Sequence, residues 1–187
     1  LALVNPGDEV ITHAPCWPTI PEQVKLVGGV PVIVQTRSDD GFTVNAERMI
    51  AAITPRTKAI VINSPGNPTG ALVDEATLAA MTDAAAARGI WMILDLCYEH
   101  LIYDNVPHNL PAIFGEVLKD RLVLAGSSSK AYAMTGWRVG YLAAPARVIE
   151  NALKAGQNSI TCVAPFIQKA AAFALTDPAI QEVTATM

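Results

Sequence analysis

The 187-residue sequence contains few charged residues and few cysteines. Asp, Glu, Lys and Arg make up only 16% of it, whereas hydrophobic residues make up 51%. This balance argues against disorder and suits an α/β domain whose sheet is covered on both faces. The three cysteines, Cys16, Cys97 and Cys162, are an odd number at wide spacing. We therefore expect no disulfide framework and a reducing compartment, by default the cytoplasm.

Long apolar runs and clusters of basic residues are also missing. No segment approaches the roughly 18 uninterrupted apolar residues that a membrane helix needs, and no signal peptide is recognisable. The net charge is −4, and the basic residues are scattered along the chain. The sequence therefore predicts neither a nucleic acid nor an anionic membrane as a partner.

Apolar runs alternate with segments of helical periodicity along the chain. Strands are predicted at 9–15, 30–36, 58–65, 90–98, 121–129 and 137–144, and helices at 20–28, 45–53, 74–88, about 145–156 and 165–176. Gly89 is expected to end the third helix. The alternation predicts an α/β fold with three layers, α/β/α, in which helices cover both faces of a mainly parallel sheet.

The domain organisation follows from length and from the lack of a linker. A chain of this length favours one domain, and no internal repeat or low-complexity tract divides it. It begins at Leu1 without an initiator Met and ends at Met187 in helix-like sequence. We therefore expect residues 1–187 to form one domain of a longer protein.

Four polar segments rich in Gly and Pro follow predicted strands, and we expect them to form a binding site. They are residues 15–17, 63–70, 95–98 and 127–130. In parallel α/β sheets, ligands bind beyond the carboxyl ends of the strands. The four segments should therefore converge on one edge of the sheet.

The segment SSSK ends in Lys130 and is followed eight residues later by Arg138. Hydroxyls, backbone N–H groups and a guanidinium form a good anion site, and phosphate is the simplest ligand. Gly126 is expected to let the backbone turn sharply after the strand. A polar turn with a surface lysine is the alternative. Neither GxxxxGK nor GxGxxG is present, so the sequence lacks the motifs typical of a nucleotide-binding site.

Four further side chains have both a structural and a functional interpretation. Asp95 ends the apolar run WMIL, where it either caps a turn or holds a proton on a heteroaromatic nitrogen. Tyr98 and Trp17 either pack in the core or contact a flat ligand, and Asn67 in SPGNPTG suits a phenolate-type oxygen. Pyridoxal 5'-phosphate offers the phosphate, ring nitrogen, ring oxygen, flat face and amine-reactive carbonyl that the whole set calls for.

The ordered motifs NPGDEV, PCW, NSPGNPTG, DLCY and SSSKAYAMTGWRVGY resemble the large domain of the class I/II aminotransferases, pyridoxal-phosphate enzymes of fold type I. The resemblance spans nearly the whole chain. It implies that Lys130 forms a Schiff base with the cofactor and shuttles a proton, and that Asp95 pairs with the pyridine nitrogen. The other implied contacts are Asn67 and Tyr98 to the phenolic oxygen, Ser127, Ser129 and Arg138 to the phosphate, and Trp17 stacked on the ring.

The resemblance also implies a function for the intact protein. Members of the family move an amino group between an amino acid and a 2-oxo acid, and they are homodimers. By the same resemblance, a further phosphate-binding loop precedes Leu1, and a small domain with the arginine for the substrate carboxylate follows Met187. We therefore expect the 187 residues alone to be inactive. A C–S lyase, a decarboxylase, a synthase and a cofactor-binding regulatory domain remain open alternatives.

Two positions depart from the family pattern. Leu96 stands where the family usually has an acidic residue, and Ser128 replaces a commoner aromatic residue. Neither change removes a predicted cofactor ligand, so we expect the site to be retained.

Overall fold

A computed structural model of the chain describes residues 1–103, 106, 108 and 120–185. Six strands in these residues form one sheet. They are β1 Glu9–Ala14, β2 Val30–Gln35, β3 Thr57–Asn63, β4 Trp91–Asp95, β5 Leu122–Ser127 and β6 Gly140–Ala143. Their order across the sheet is β2-β1-β3-β4-β5-β6. The predicted α/β class is confirmed.

Six α-helices in the same described residues connect or follow these strands. They are α1 Thr19–Leu26, α2 Ala46–Ala51, α3 Glu75–Arg88, α4 Ala146–Ser159, α5 Pro165–Thr176 and α6 Pro178–Ala185. Short 3-10 turns lie at Ser38–Asp40 and Thr135–Trp137. None of the helices in the described ranges combines the length and apolar character needed to cross a bilayer.

Local sequence explains where several helices begin and end. The side chain of Asn45 accepts a hydrogen bond from the Arg48 N–H at 2.9 Å, and Asp74 caps α3 in the same way. Such caps satisfy N–H groups that have no partner within the helix. Gly89 adopts φ 65°, the left-handed conformation that favours glycine, and it ends α3 as predicted.

The five strands β1 to β5 are parallel, and β6 is antiparallel to β5. One face of the sheet packs on α2 and α3 around a core that includes Ile60, Met92 and Leu94. The other face packs on α1 and α4, where Val24 and Val148 meet the strand residues. The structure therefore has the three layers predicted from the sequence, with β6 as the antiparallel part of a mainly parallel sheet.

All six strands end one to three residues before their predicted boundaries, and at two of them a side chain explains the end. The run 90–98 is strand only to Asp95, because the Asp95 carboxylate accepts a hydrogen bond from the Cys97 N–H at 3.0 Å and a turn follows. The run 121–129 is strand only to Ser127, whose hydroxyl accepts from the Ser129 N–H at 3.1 Å. Each side chain thus bonds to the backbone two residues further on and ends its strand beside the predicted site.

Candidate active site

The carboxyl ends of β3, β4 and β5 carry polar side chains on one face of the sheet. Because side chains alternate along a strand, Asn63, Asp95 and Ser127 lie on the same face as the apolar residues two positions before them. Asn63 is the register partner of Asp95, and Asp95 is the register partner of Ala125. The polar row lies at the carboxyl ends of the strands, the edge beyond which ligands bind in open α/β sheets.

A cavity of about 560 Å³ lies over this row. Apolar side chains such as Val61 and Ile93 line one part of it. Members of all four polar segments predicted to converge line the rest, which confirms that prediction. All eight predicted site residues line the cavity: Trp17, Asn67, Asp95, Tyr98, Ser127, Ser129, Lys130 and Arg138.

Asp95 is a partly buried carboxylate in the cavity wall. Burial raises its pKa above the ordinary value of 3.8, and the hydrogen bond from the Cys97 N–H only partly opposes this. No lysine or arginine among the described residues forms an ion pair with it. A ligand that brings a cationic N–H to this carboxylate would therefore stabilise its charged form.

Lys130 also lines the cavity, three residues after the end of β5. Its Nζ atom is 6.0 Å from the centroid of the Tyr98 ring. The Tyr98 hydroxyl accepts a long hydrogen bond of 3.4 Å from Asn67 Nδ2. An amine, a phenol and a carboxamide thus face one space, as expected if all three contact the reactive end of one ligand.

Two hydroxyls and a guanidinium form the candidate anion site. Ser127 and Ser129 line the cavity. Within the described part of the chain, Arg138 donates one hydrogen bond, from Nη1 to the carbonyl oxygen of Thr135 at 3.0 Å. Arg138 has φ 55°, which is uncommon for a residue with a Cβ atom. The tertiary structure therefore holds the Arg138 backbone in an unfavourable conformation that places the guanidinium at the cavity. Its other N–H groups are left to bind an anion.

The structure corrects the interpretation of Gly126. This residue lies inside β5 and has no positive φ, so it does not supply a sharp turn. A Cβ atom at this position would overlap the ring of Tyr141, which lies opposite on β6. Tyr141 donates a hydrogen bond to Glu99 at 2.8 Å, which ties β6 to the segment after Tyr98. Gly126 is required by this close packing.

We expect Gly126→Ala to destabilise the protein by about 1–3 kcal/mol, because the added methyl group displaces the Tyr141 ring. Thermal denaturation would measure the change. The double variant Gly126→Ala/Tyr141→Ala should lose less than the sum of the single variants, because the clash is gone. Gly136→Ala is the matched control, since a Cβ atom there meets nothing within 4 Å. Additive losses in the double variant would contradict the packing explanation.

The two departures from the family pattern have separate structural explanations. Leu96 is buried in the core on the α2 and α3 side, away from the cavity. Ser128 is also buried, and its N–H donates to the carbonyl oxygen of Val139 at 3.3 Å. Neither residue lines the cavity, so the site keeps all the predicted side chains.

Sequence reasoning missed Asn63 and Cys97, which also line the cavity. Asn63 is the last residue of β3, directly beside Asp95 in the register. Burial and the Asp95 carboxylate raise the pKa of the Cys97 thiol, which favours its neutral form. Aligning the carboxyl ends of the two predicted strands would have placed Asn63 next to Asp95.

Comparison with known proteins gives the class of this fold and site. The family described as aminotransferase class I and II matches residues 1–187. The chain belongs to this family.

Its relatives include aspartate aminotransferases from several bacteria. It is 42% identical over 187 residues to the aspartate/prephenate aminotransferase of Cereibacter sphaeroides, covering all of this chain and 46% of that protein. It is 40% identical over 178 residues to a probable aspartate/prephenate aminotransferase of Aquifex aeolicus, covering 95% of this chain and 45% of that protein.

Among solved structures, the aspartate aminotransferase of Thermus thermophilus with maleate superposes with a TM-score of 0.92 at 37% identity, over 100% of this chain and 48% of that one. The chain thus spans about half the length of these relatives.

Proposed function

We propose that this chain is the cofactor-binding large domain of a pyridoxal-phosphate-dependent aminotransferase, which moves an amino group between an amino acid and a 2-oxo acid. The observation that carries the proposal is the presence of Lys130 and Asp95 in the wall of one cavity, together with the family membership. We further propose that the complete protein is a cytoplasmic homodimer.

The side chains of the cavity fit pyridoxal phosphate. Asp95 has no cationic partner among the described residues, so it suits a protonated ring nitrogen. Asn67 and Tyr98 supply polar groups for the ring oxygen, and Trp17, nearly half exposed, supplies a flat surface for stacking. The phosphate would be held by Ser127, Ser129 and Arg138.

The proposed reaction divides the work between two titratable side chains. When bound, pyridoxal phosphate supplies an electron-withdrawing ring that stabilises negative charge at the substrate Cα atom. Lys130 Nζ would hold the cofactor, and as a free amine it would carry the proton between the substrate Cα atom and the cofactor. Asp95 keeps a proton on the ring nitrogen, which preserves the electron-withdrawing character. Arg138 and the two serines hold the phosphate so that the reacting atoms stay in place.

Aspartate is the amino donor to test first, because the relatives named above are aspartate or aspartate/prephenate aminotransferases. We expect the complete natural protein that carries this sequence to convert aspartate and 2-oxoglutarate to oxaloacetate and glutamate. Oxaloacetate and glutamate would be measured. In a parallel reaction a sulfur amino acid would replace aspartate, and pyruvate and ammonia would be measured. Oxo-acid-dependent transfer supports the proposal. Pyruvate and ammonia formed without an oxo acid would indicate a lyase, and cofactor binding without turnover of any amino acid would indicate a regulatory domain.

A further inference from the structure

Asn63 lies at the end of β3, beside the end of β4 that carries Asp95. It is the last residue of β3, it is only 3% exposed, and it lines the cavity. Its register partner on β4 is Asp95. The loop that starts after Asn63 contains Asn67, four residues on. The position of Asn63 therefore links a strand end to the loop that faces it.

Both polar atoms of the Asn63 side chain are used in this link. Oδ1 accepts a hydrogen bond from the Asn67 N–H at 2.8 Å, and Nδ2 donates to the carbonyl oxygen of Asp95 at 3.2 Å. A carboxamide side chain of this length carries an acceptor oxygen and a donor NH₂ group together. Aspartate would keep the acceptor and lose the donor, and alanine would lose both.

Asn63 is itself held in place by β1. Its backbone N–H points to Nε2 of His13 at 3.5 Å, a long contact. Burial lowers the pKa of His13, which favours the neutral ring that can accept at Nε2. β1 and β4 thus both contact Asn63, through the His13 ring and the Asp95 carbonyl oxygen.

We infer that Asn63 is a positioning residue that sets the separation between Asn67 and Asp95. This inference rests on the proposed function, in which Asn67 meets the ring oxygen and Asp95 meets the ring nitrogen. Those two atoms belong to one rigid ring, so the two side chains must be held at a fixed separation. Asn63 touches the backbone of both residues and no other side chain in the described residues does so.

The test measures cofactor binding in the complete natural protein that carries this sequence. We expect Asn63→Ala to weaken pyridoxal phosphate binding by about 10- to 100-fold, the usual loss when an outer-shell partner is removed. The dissociation constant would be measured by absorbance titration at a temperature well below the unfolding transition. Thr82→Ala is the matched control, because Thr82 is equally buried on α3 and its hydroxyl has no partner among the described residues. The control should leave the dissociation constant unchanged.

Asn63→Asp separates hydrogen bonding from packing. A protonated aspartic acid has one O–H donor and one carbonyl acceptor, as asparagine does, and burial raises the pKa of such a carboxyl group. The affinity of this variant relative to the natural protein should therefore recover as the pH falls, whereas that of Asn63→Ala should stay low. The titratable groups around Asn63 are His13, Asp95, Cys97, Tyr98 and Lys130. Asn63→Ala carries the same groups and adds no carboxylate, so its affinity at each pH shows the effect of their own titration.

The outcomes distinguish the inference from the function on which it rests. If the natural protein does not bind pyridoxal phosphate, the proposed function fails. If it binds the cofactor and Asn63→Ala binds it equally well, with only a lower melting temperature, Asn63 is a structural residue and the inference fails alone. Equal weakening of Asn63→Asp and Asn63→Ala at every pH would also overturn it. Should Asn63→Ala not fold, the pH dependence of Asn63→Asp decides.

Discussion

Replacing Lys130 with alanine is expected to remove the visible absorbance of the bound cofactor and to lower kcat by at least about 10²- to 10⁴-fold. The first effect follows because the variant lacks the amine proposed to attach the cofactor, and the second because it lacks the proposed base for the Cα proton. Absorbance spectra and steady-state kinetics of the complete protein, reconstituted with pyridoxal phosphate, would measure both.

Lys154→Ala provides the control for the Lys130 variant. Lys154 is an exposed lysine on α4 and does not line the cavity, so its removal deletes the same charge without touching the site. Spectrum and kcat should both be unchanged. An unaltered visible spectrum in Lys130→Ala would refute the assignment of Lys130, whatever happened to the activity.

Replacing Asp95 with alanine is expected to lower kcat by about 10²- to 10⁴-fold while the cofactor still attaches to Lys130. Removing one partner of a buried charge pair costs about 3–5 kcal/mol, which corresponds to this range of rates. The spectrum of the bound cofactor should remain visible, because Lys130 is intact. Asp95→Glu, which keeps the charge on a longer side chain, should retain more activity than Asp95→Ala. Full activity of Asp95→Ala would show that the carboxylate does not act on the ring.

In the cofactor-free protein, the ionised Asp95 carboxylate should lower the stability of the fold, although the same carboxylate is expected to favour activity. Because burial raises the folded-state pKa of Asp95 above 3.8, its stabilising contribution is fully present below pH 3.8 and is lost as the pH rises through the raised pKa. Asp95→Asn removes this loss, so cofactor-free Asp95→Asn should melt higher than the natural protein at pH 7, and the difference should shrink towards pH 4. With cofactor bound, the natural protein should be the more stable of the two.

Much of the site could be predicted because its residues lie at the carboxyl ends of strands. A parallel strand places its last residues at one edge of the sheet, so Asp95, Asn67 and Lys130 could be brought together from strand positions alone. The chemistry of these side chains reduced the number of possible ligands further, since few cofactors match an amine, a carboxylate and a hydroxyl-rich turn. The roles of these residues remain predictions, and the variants above test them.

The residues missed or misread from the sequence are those whose neighbours are distant in the chain. Gly126 contacts Tyr141, fifteen positions on, and Asn63 bonds to Asp95, thirty-two positions on. Nothing in the local sequence around Gly126 distinguishes a turn glycine from one that makes room for a ring. Asn63 lies within a predicted strand, and its local sequence does not show that its side chain bonds to the backbone of β4.

The sequence by itself determined the alternation of strands and helices, the caps at Asn45, Asp74 and Gly89, and the polar segments of the site. These features depend on backbone preferences and hydrophobic periodicity within a few residues. Only the tertiary structure decided that β6 returns antiparallel to β5, that β1 lies between β2 and β3, and that Asn63 bridges two strand ends. Those features depend on which elements share a face of the sheet, and that choice is made by packing between segments far apart in the chain.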